Sequence, residues 1–157
     1  MPFKERAREA QKNLSLPLEE VAASAVGEGD RRSSMKVLVI GGGGREHAVC
    51  RKLSESKDVT ELLCAPGNAG IARVARCIPD VKATDIDGIV ALAKREKVDF
   101  VCVTPDDPLA LGCVDRLEAE GIAAFGPTAY AAQMEASKIF SKNLMRKYGI
   151  PTARCEI

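Results

Sequence analysis

The sequence predicts an α/β domain in which helices flank a mostly parallel sheet of about five strands. Short apolar runs alternate along the chain with helix-like segments, and four consecutive glycines follow the first run at residues 41–44. A strand that is buried on both faces is continuously apolar, and strands that alternate with helices form right-handed βαβ units. The chain has 157 residues, 46% of them hydrophobic, which is enough for one compact domain with a core.

The composition argues against several classes of protein. Aromatic residues make up only 4% of the chain and Trp is absent, so Val, Ile, Leu and Ala must build the core. The 23 Lys and Arg residues nearly balance the 22 Asp and Glu residues, and no basic cluster favours a nucleic-acid partner. No apolar segment approaches the roughly 20 residues of a membrane span, and no signal-peptide pattern opens the chain. We therefore expect a cytoplasmic protein without a membrane partner.

The cysteines indicate structural thiols and no metal site. No two of them form a Cys-x-x-Cys pair, and the single histidine, His47, cannot complete a zinc-ligand pattern. Cys102 lies between two valines, where a free cysteine acts as a small buried hydrophobic residue. We expect all six to be reduced: Cys50, Cys64, Cys77, Cys102, Cys113 and Cys155.

Residues 1–34 differ in character from the rest of the chain. Six basic residues are matched by six acidic ones, and apolar residues between Leu18 and Val26 recur at helical spacing. This pattern predicts a short amphipathic helix after Pro17, and residues 27–34 read as a linker. We expect residues 1–34 to form a poorly ordered extension. A transit peptide, which the acidic residues disfavour, and a leader before a natural start at Met35 are the alternatives.

From Lys36 onward, candidate strands and helices alternate. Asp85 and Asp87 suit a helix N-terminus, whereas Gly149 suits a helix C-cap with Pro151 beyond it. The pattern predicts that a further strand begins where the chain stops at Ile157, which we interpret as a truncation, a domain fragment or an incomplete gene product. The predicted strands are residues 37–40, 61–65, 99–103 and 122–125, and the predicted helices are residues 45–55, a segment opened by residues 85–87, residues 107–120 and residues 130–148.

The strongest local signal is the segment VIGGGGREHA at residues 39–48. Ligands of parallel sheets bind beyond the carboxyl ends of the strands, and glycines let the backbone approach a bound group closely. The following helix would present free N–H groups to a phosphate, and Arg45 could add charge-assisted hydrogen bonds. A tight turn without a ligand is the alternative.

Two familiar phosphate loops do not match this segment. A Walker loop needs Lys followed by Ser or Thr after the glycines, and neither follows here. In the dinucleotide fingerprint Glu46 would occupy the third glycine position. The second strand also ends in Cys64, Ala65 and Pro66, without the acid that would hold a ribose. A nicotinamide or flavin enzyme is therefore disfavoured.

Two other predicted strand ends converge on the same edge of the sheet. Residues 65–70 include Asn68, which can donate and accept hydrogen bonds, and residues 104–109 supply carboxylates suited to an amine or a sugar diol. Each segment alone is typical of a turn or helix cap. Three such loops together predict a ligand pocket.

Residues 35–48 resemble the opening of the phosphoribosylamine–glycine ligase family. The family's Ala-Pro-Gly-Asn-Ala-Gly signature stands at residues 65–70, and further signatures resemble residues 125–128, residues 135–138 and residues 148–153. The match covers residues 35–157 in the right order. The chain departs from the family at Thr104-Pro105-Asp106, where Gly-Pro-Glu is usual, and at Ala136, where glycine is usual.

The resemblance implies a Rossmann-like, pre-ATP-grasp domain at residues 35–134 and the start of a truncated ATP-grasp domain at residues 135–157. It implies an enzyme of de novo purine biosynthesis that joins phosphoribosylamine to glycine, with ATP activating glycine as glycyl phosphate and Mg²⁺ or Mn²⁺ as metal. We expect the other ligands to lie mostly in the remainder of a parent chain, no cofactor to bind tightly here, and the isolated chain to be inactive.

By the same resemblance, Lys138 contacts ATP. His47, in the first turn of a helix, is as readily a packing residue as a site residue. The phosphoribosylamine site comprises Gly42, Gly43, Gly44, Arg45, Glu46, His47, Gly67, Asn68, Pro105 and Asp106. The alternatives are the N-terminal domain of another ATP-grasp ligase and a non-catalytic module that binds a sugar phosphate or nucleotide.

Overall fold

The computed structural model describes residues 34–154. The predictions for residues 1–33, for Cys155 and for a strand at the end of the chain lie outside this range. The domain divisions at residues 34/35 and 134/135 stay predictions. None of the helices within residues 34–154 is long and apolar enough to cross a membrane.

Five strands form a single sheet in the order β3-β2-β1-β4-β5, and every pair of neighbours is parallel. The predicted α/β fold is therefore confirmed. The strands are β1 (Met35–Gly41), β2 (Val59–Pro66), β3 (Arg76–Cys77), β4 (Phe100–Val103) and β5 (Ala123–Phe125). The helices are α1 (Gly44–Ser54), α2 (Ile86–Glu96), α3 (Asp106–Ala110), α4 (Cys113–Ala119), α5 (Ala129–Ala136) and α6 (Lys138–Lys147), with a 3₁₀ turn at Ile71–Arg73.

The core lies on both faces of the central strand β1. Because successive side chains of a strand point to opposite faces, Leu38 and Ile40 enter one apolar cluster, and Val37 and Val39 enter the other. All four side chains are at most 1% exposed. The first cluster includes Ile89 and Leu92 of α2 and Leu117 of α4, and the second includes Cys50 of α1 and Ile71 of the 3₁₀ turn.

The strand register brings three loops to one edge of the sheet. Gly41 at the end of β1 pairs with Pro66 at the end of β2, and Ile40 pairs with Val103 at the end of β4. The segments that follow β1, β2 and β4 therefore begin side by side, as the sequence predicts. This edge carries the candidate site.

Two predicted helices are wrong as single elements. The segment 107–120 is divided into α3 and α4 at Gly112, whose φ of 81° is left-handed and interrupts the helix. The segment 130–148 is divided into α5 and α6 at Ser137, whose backbone is extended. The Ser137 hydroxyl oxygen accepts a hydrogen bond from the Phe140 N–H at 3.2 Å, so this residue caps α6.

Candidate ligand site at the carboxyl edge of the sheet

The glycine loop, residues 41–44, passes too close to its neighbours to carry side chains at two positions. A Cβ atom on Gly42 would lie 2.7 Å from the carbonyl oxygen of Gly67. A Cβ on Gly41, whose φ is 121°, would lie 2.7 Å from Cγ of Glu46 and 2.8 Å from Cγ of Pro105. The glycines therefore let the first loop pack directly against the other two.

Asn68 ties the loop after β2 to the glycine loop. Its Nδ2 donates a hydrogen bond to the Gly42 carbonyl at 2.7 Å, and its Oδ1 accepts from the N–H groups of Gly70 and Ile71 at 2.8 and 2.9 Å. The Gly67 N–H also donates to the Gly41 carbonyl at 3.1 Å. Most of the hydrogen-bonding capacity of Asn68 is thus used inside the loops.

Glu46 ties the glycine loop to the loop after β4. One carboxylate oxygen, Oε2, accepts from the Gly43 N–H at 2.7 Å, and Oε1 accepts from the Thr104 hydroxyl at 2.7 Å. Glu46 is 5% exposed, and within residues 34–154 it is the one charged residue that is buried. Its two hydrogen bonds offset the cost of removing the carboxylate from water.

Arg45 projects beside this buried carboxylate and remains 60% exposed. Its Nη1 donates to the Thr104 carbonyl at 3.0 Å and lies 3.6 Å from Oδ1 of Asp106, and its Nε lies 3.8 Å from Oε1 of Glu46. Oδ1 of Asp106 is shielded from solvent but accepts no hydrogen bond, although the whole side chain is 42% exposed. A cation and a carboxylate with spare hydrogen-bonding capacity therefore face the same edge.

The start of α1 offers unpaired backbone donors. The first intrahelical bond runs from the His47 N–H to the Gly43 carbonyl at 3.1 Å. Within residues 34–154, no hydrogen-bond acceptor is found for the N–H groups of Gly44, Arg45 and Glu46. Such groups, together with the positive end of the helix dipole, form a favourable environment for an anion.

The remaining two predicted site residues occupy different places. His47 is half-buried, and its ring packs against the loop after β2. The ring is so close to Gly70 that a Cβ on this glycine would lie 2.9 Å from Cε1 of His47. Lys138 is exposed at the first position of α6. No hydrogen bond or ion pair in the described part of the chain links Lys138 to the glycine loop. The structure thus gathers the predicted phosphoribosylamine-site residues at one edge.

The cysteines serve the fold beneath this edge. The Cys64 thiol donates to the Gly41 carbonyl at 3.2 Å, and the five cysteines within residues 34–154 are free, as predicted. Burial raises the pKa of the Cys102 and Cys113 thiols to about 11, so both stay protonated at neutral pH. None of these features indicates a catalytic thiolate.

The side chain of Thr104 is a site feature that the sequence analysis did not single out. The sequence predicts that the loop after β4 contributes carboxylates to a ligand pocket, and that prediction does not involve the Thr104 hydroxyl. The available signal was its position directly after a predicted strand that ends at Val103. The fold brings this hydroxyl to Glu46, which lies 58 residues away in the sequence.

Comparisons with known proteins agree with the fold and the loops. Residues 35–135 match the family profile "Phosphoribosylglycinamide synthetase, N domain". A phosphoribosylamine–glycine ligase from Xanthomonas campestris is 54% identical over 120 residues, which cover 76% of this chain and 28% of that protein. The chain therefore spans just over a quarter of the length of this curated relative.

Two solved structures share the architecture. The phosphoribosylamine–glycine ligase of Thermotoga maritima is 28% identical, with a TM-score of 0.53 over 76% of this chain and 26% of that chain. The biotin carboxylase domain of a thermophilic 2-oxoglutarate carboxylase reaches a TM-score of 0.58 over 76% of this chain and 29% of that chain. At 17% identity, the second match shows the fold alone.

Proposed function

Because the chain belongs to the phosphoribosylglycinamide synthetase family through its N domain, we propose that its glycine-loop edge binds phosphoribosylamine. The complete protein would then be a ligase of purine biosynthesis that joins phosphoribosylamine to glycine. In this proposal ATP converts the glycine carboxylate to glycyl phosphate, and the amine of phosphoribosylamine attacks it to form the new C–N bond.

The observation that carries the proposal is the unpaired start of α1 beside Arg45. Three N–H groups without acceptors suit the phosphate of the ligand, because each can donate to a phosphate oxygen without breaking an existing bond. The Arg45 guanidinium keeps donors beyond the one used on Thr104 and can reach the same group. These donors support the proposal that the phosphate of phosphoribosylamine binds at the glycine loop.

Asp106 supports a role at the other end of the ligand. Its Oδ1 accepts no hydrogen bond, and an amine or ribose hydroxyl is the donor that such a carboxylate would take. The negative charges of Asp106 and Glu46 together exceed the positive charge of Arg45. Attraction for a phosphate must then come largely from the backbone N–H groups. We therefore propose that the phosphate binds at the start of α1 and not beside Asp106.

ATP, a divalent metal and glycine are proposed ligands of the parent protein. Within residues 34–154, no group of three or more His, Cys, Asp or Glu side chains lies close enough together to hold a metal. We propose that Lys138 contacts ATP and that the other sites for these ligands lie in the portion of the relatives that this chain does not cover. We also propose that the protein is cytoplasmic.

Ribose 5-phosphate tests the proposal, because it carries the same phosphate and sugar in a stable molecule. At about ten times its Kd, a ligand of the native state stabilises that state by about 1.4 kcal/mol. We expect a higher thermal midpoint with ribose 5-phosphate or glycinamide ribonucleotide, and a smaller shift in Arg45→Ala. Arg51→Ala is the matched control, since Arg51 is exposed in the last turn of the same helix. No shift in the wild type, or a shift with NADH alone, would contradict the proposal.

A further inference from the structure

We propose that the side chains of Thr104 and Glu46 form a positioning pair that holds the glycine loop in its binding shape, and that neither side chain touches the ligand. The inference rests on the proposed function, because it assigns roles within the same site. The resemblance of sequence placed Glu46 among the residues that contact phosphoribosylamine. The geometry points instead to a residue that acts through the backbone of Gly43.

Both carboxylate oxygens of Glu46 already have partners inside the protein. Oε2 accepts from the Gly43 N–H and Oε1 from the Thr104 hydroxyl, each at 2.7 Å, and the side chain is 6% exposed. A ligand hydroxyl or amine would have to displace one of these charge-assisted bonds from a buried position. Glu46 is therefore a support for the loop.

The Gly43 N–H is the group that this support controls. It belongs to the N-cap residue of α1 and would otherwise be one more unpaired donor at the helix start. Its bond to Glu46 fixes the orientation of the peptide that precedes the three unpaired N–H groups. The loop is thus held with those three donors in place before a ligand arrives, which lowers the cost of ordering it on binding.

Thr104, which directly follows strand β4, holds the Glu46 carboxylate from the other side. Its hydroxyl lies 2.7 Å from Oε1 of Glu46 and 3.5 Å from the carbonyl of Ile40, so the carboxylate is the closer acceptor. Its backbone carbonyl accepts from Nη1 of Arg45 at 3.0 Å. One residue at the end of β4 therefore positions both the buried carboxylate and the exposed cation of the site.

Four substitutions separate the hydroxyl, the shape and the charge. Thr104→Val keeps the shape but removes the donor, and Thr104→Ser keeps the donor but removes a methyl group. Glu46→Gln keeps both bonds in the neutral state, because its amide oxygen can accept from Gly43 and its amide nitrogen can donate to the Thr104 oxygen. Glu46→Ala removes both bonds.

The experiment measures amide hydrogen exchange at Gly43 by NMR, together with the Kd for ribose 5-phosphate by calorimetry. The Ile89 N–H, bonded to the Asp85 carbonyl at 2.9 Å in the core helix α2, reports global unfolding. We expect Thr104→Val and Glu46→Ala to speed exchange at Gly43 about tenfold relative to Ile89, and to weaken binding about tenfold. Thr104→Ser and Glu46→Gln should keep Gly43 exchange within about threefold of the wild type.

A purely structural role would change exchange at Gly43 and Ile89 in parallel, and that result would overturn the inference. Equal Gly43 exchange in Thr104→Val and Thr104→Ser would also overturn it. If the wild type does not bind ribose 5-phosphate, the proposed function fails, but the Gly43 measurement still decides whether the pair positions the loop. If Thr104→Val binds as tightly as a wild type that does bind, the pair has no positioning role.

Discussion

Gly42 and Gly44 lie two residues apart in the glycine loop, but they have very different surroundings. A Cβ on Gly42 would come within 2.7 Å of a backbone carbonyl, whereas a Cβ on Gly44 would find no atom within 4 Å. A side chain can relieve such a clash by changing its rotamer, whereas a backbone carbonyl cannot. The requirement for glycine is therefore steric at the first position and absent at the second.

This contrast gives a prediction with a built-in control. Gly42→Ala should lower the free energy of unfolding by about 1–3 kcal/mol, because the loop after β2 must move away. Gly44→Ala, at the first position of α1, should change it by less than about 1 kcal/mol, and in the stabilising direction. Urea denaturation of both variants measures the difference. If Gly42→Ala and Gly44→Ala destabilise the protein equally, the glycine loop does not pack as closely against the loop after β2 as described.

At the same scale, the sequence predicted residues that the structure brings together at one edge, but not the hydrogen bonds that their side chains make. Asn68 and Glu46 were predicted as substrate contacts, and both direct most of their polar atoms to neighbouring loops. A sequence motif describes residues that are close together in the chain. It could not predict the hydrogen bond between Glu46 and Thr104, which are 58 positions apart. Direct contact of any of these residues with phosphoribosylamine stays a prediction.

Helix α2 shows where local chemistry predicts an element well. Its start was predicted from acidic residues, and the Asp85 carboxylate indeed caps the helix by accepting from the Gly88 N–H at 3.0 Å. Its buried residues Ile89, Val90, Leu92 and Ala93 recur at the spacing of one helix face. Capping and periodicity are both local signals, so they agree here.

Asp85→Ala should therefore destabilise the protein by about 1 kcal/mol, the usual cost of losing an N-cap side chain. Asp87→Ala removes the same charge from the same turn, but its side chain is 90% exposed and makes only a 3.7 Å ion pair with Arg116. That variant should lose less than about 0.5 kcal/mol. Thermal or urea unfolding distinguishes the two. If both variants lose the same stability, the charge and not the cap is what matters.

The broken helices show where local signals were insufficient. Residues 107–120 and 130–148 have composition suited to continuous helices, and their interruptions at Gly112 and Ser137 depend on backbone angles that composition does not specify. At Ser137 the side-chain oxygen caps the helix that follows. The α3 and α5 helices meet across Gly112, whose Cβ would lie 3.7 Å from Cβ of Ala129.

For the whole molecule, the parallel sheet was predictable because its central strands are continuous apolar runs. β1, β2 and β4 were found in this way, whereas β3 has two residues, Arg76 and Cys77, and is too short for any periodicity to reveal. The convergence of three loops on one edge follows from the parallel direction of the strands. The pairs Gly41 with Pro66 and Ile40 with Val103 then set the register of the site.

The central claim is that this edge, and no other surface of the domain, binds the ribose phosphate. A titration of the ¹⁵N-labelled chain with ribose 5-phosphate, followed by amide chemical shifts, tests it most directly. The largest shifts should fall on Gly44, Arg45 and Glu46, whose N–H groups have no acceptor within residues 34–154. Smaller shifts should follow at Asn68 and Asp106. Shifts concentrated on α2 or α4, or none at millimolar ligand, would contradict the claim.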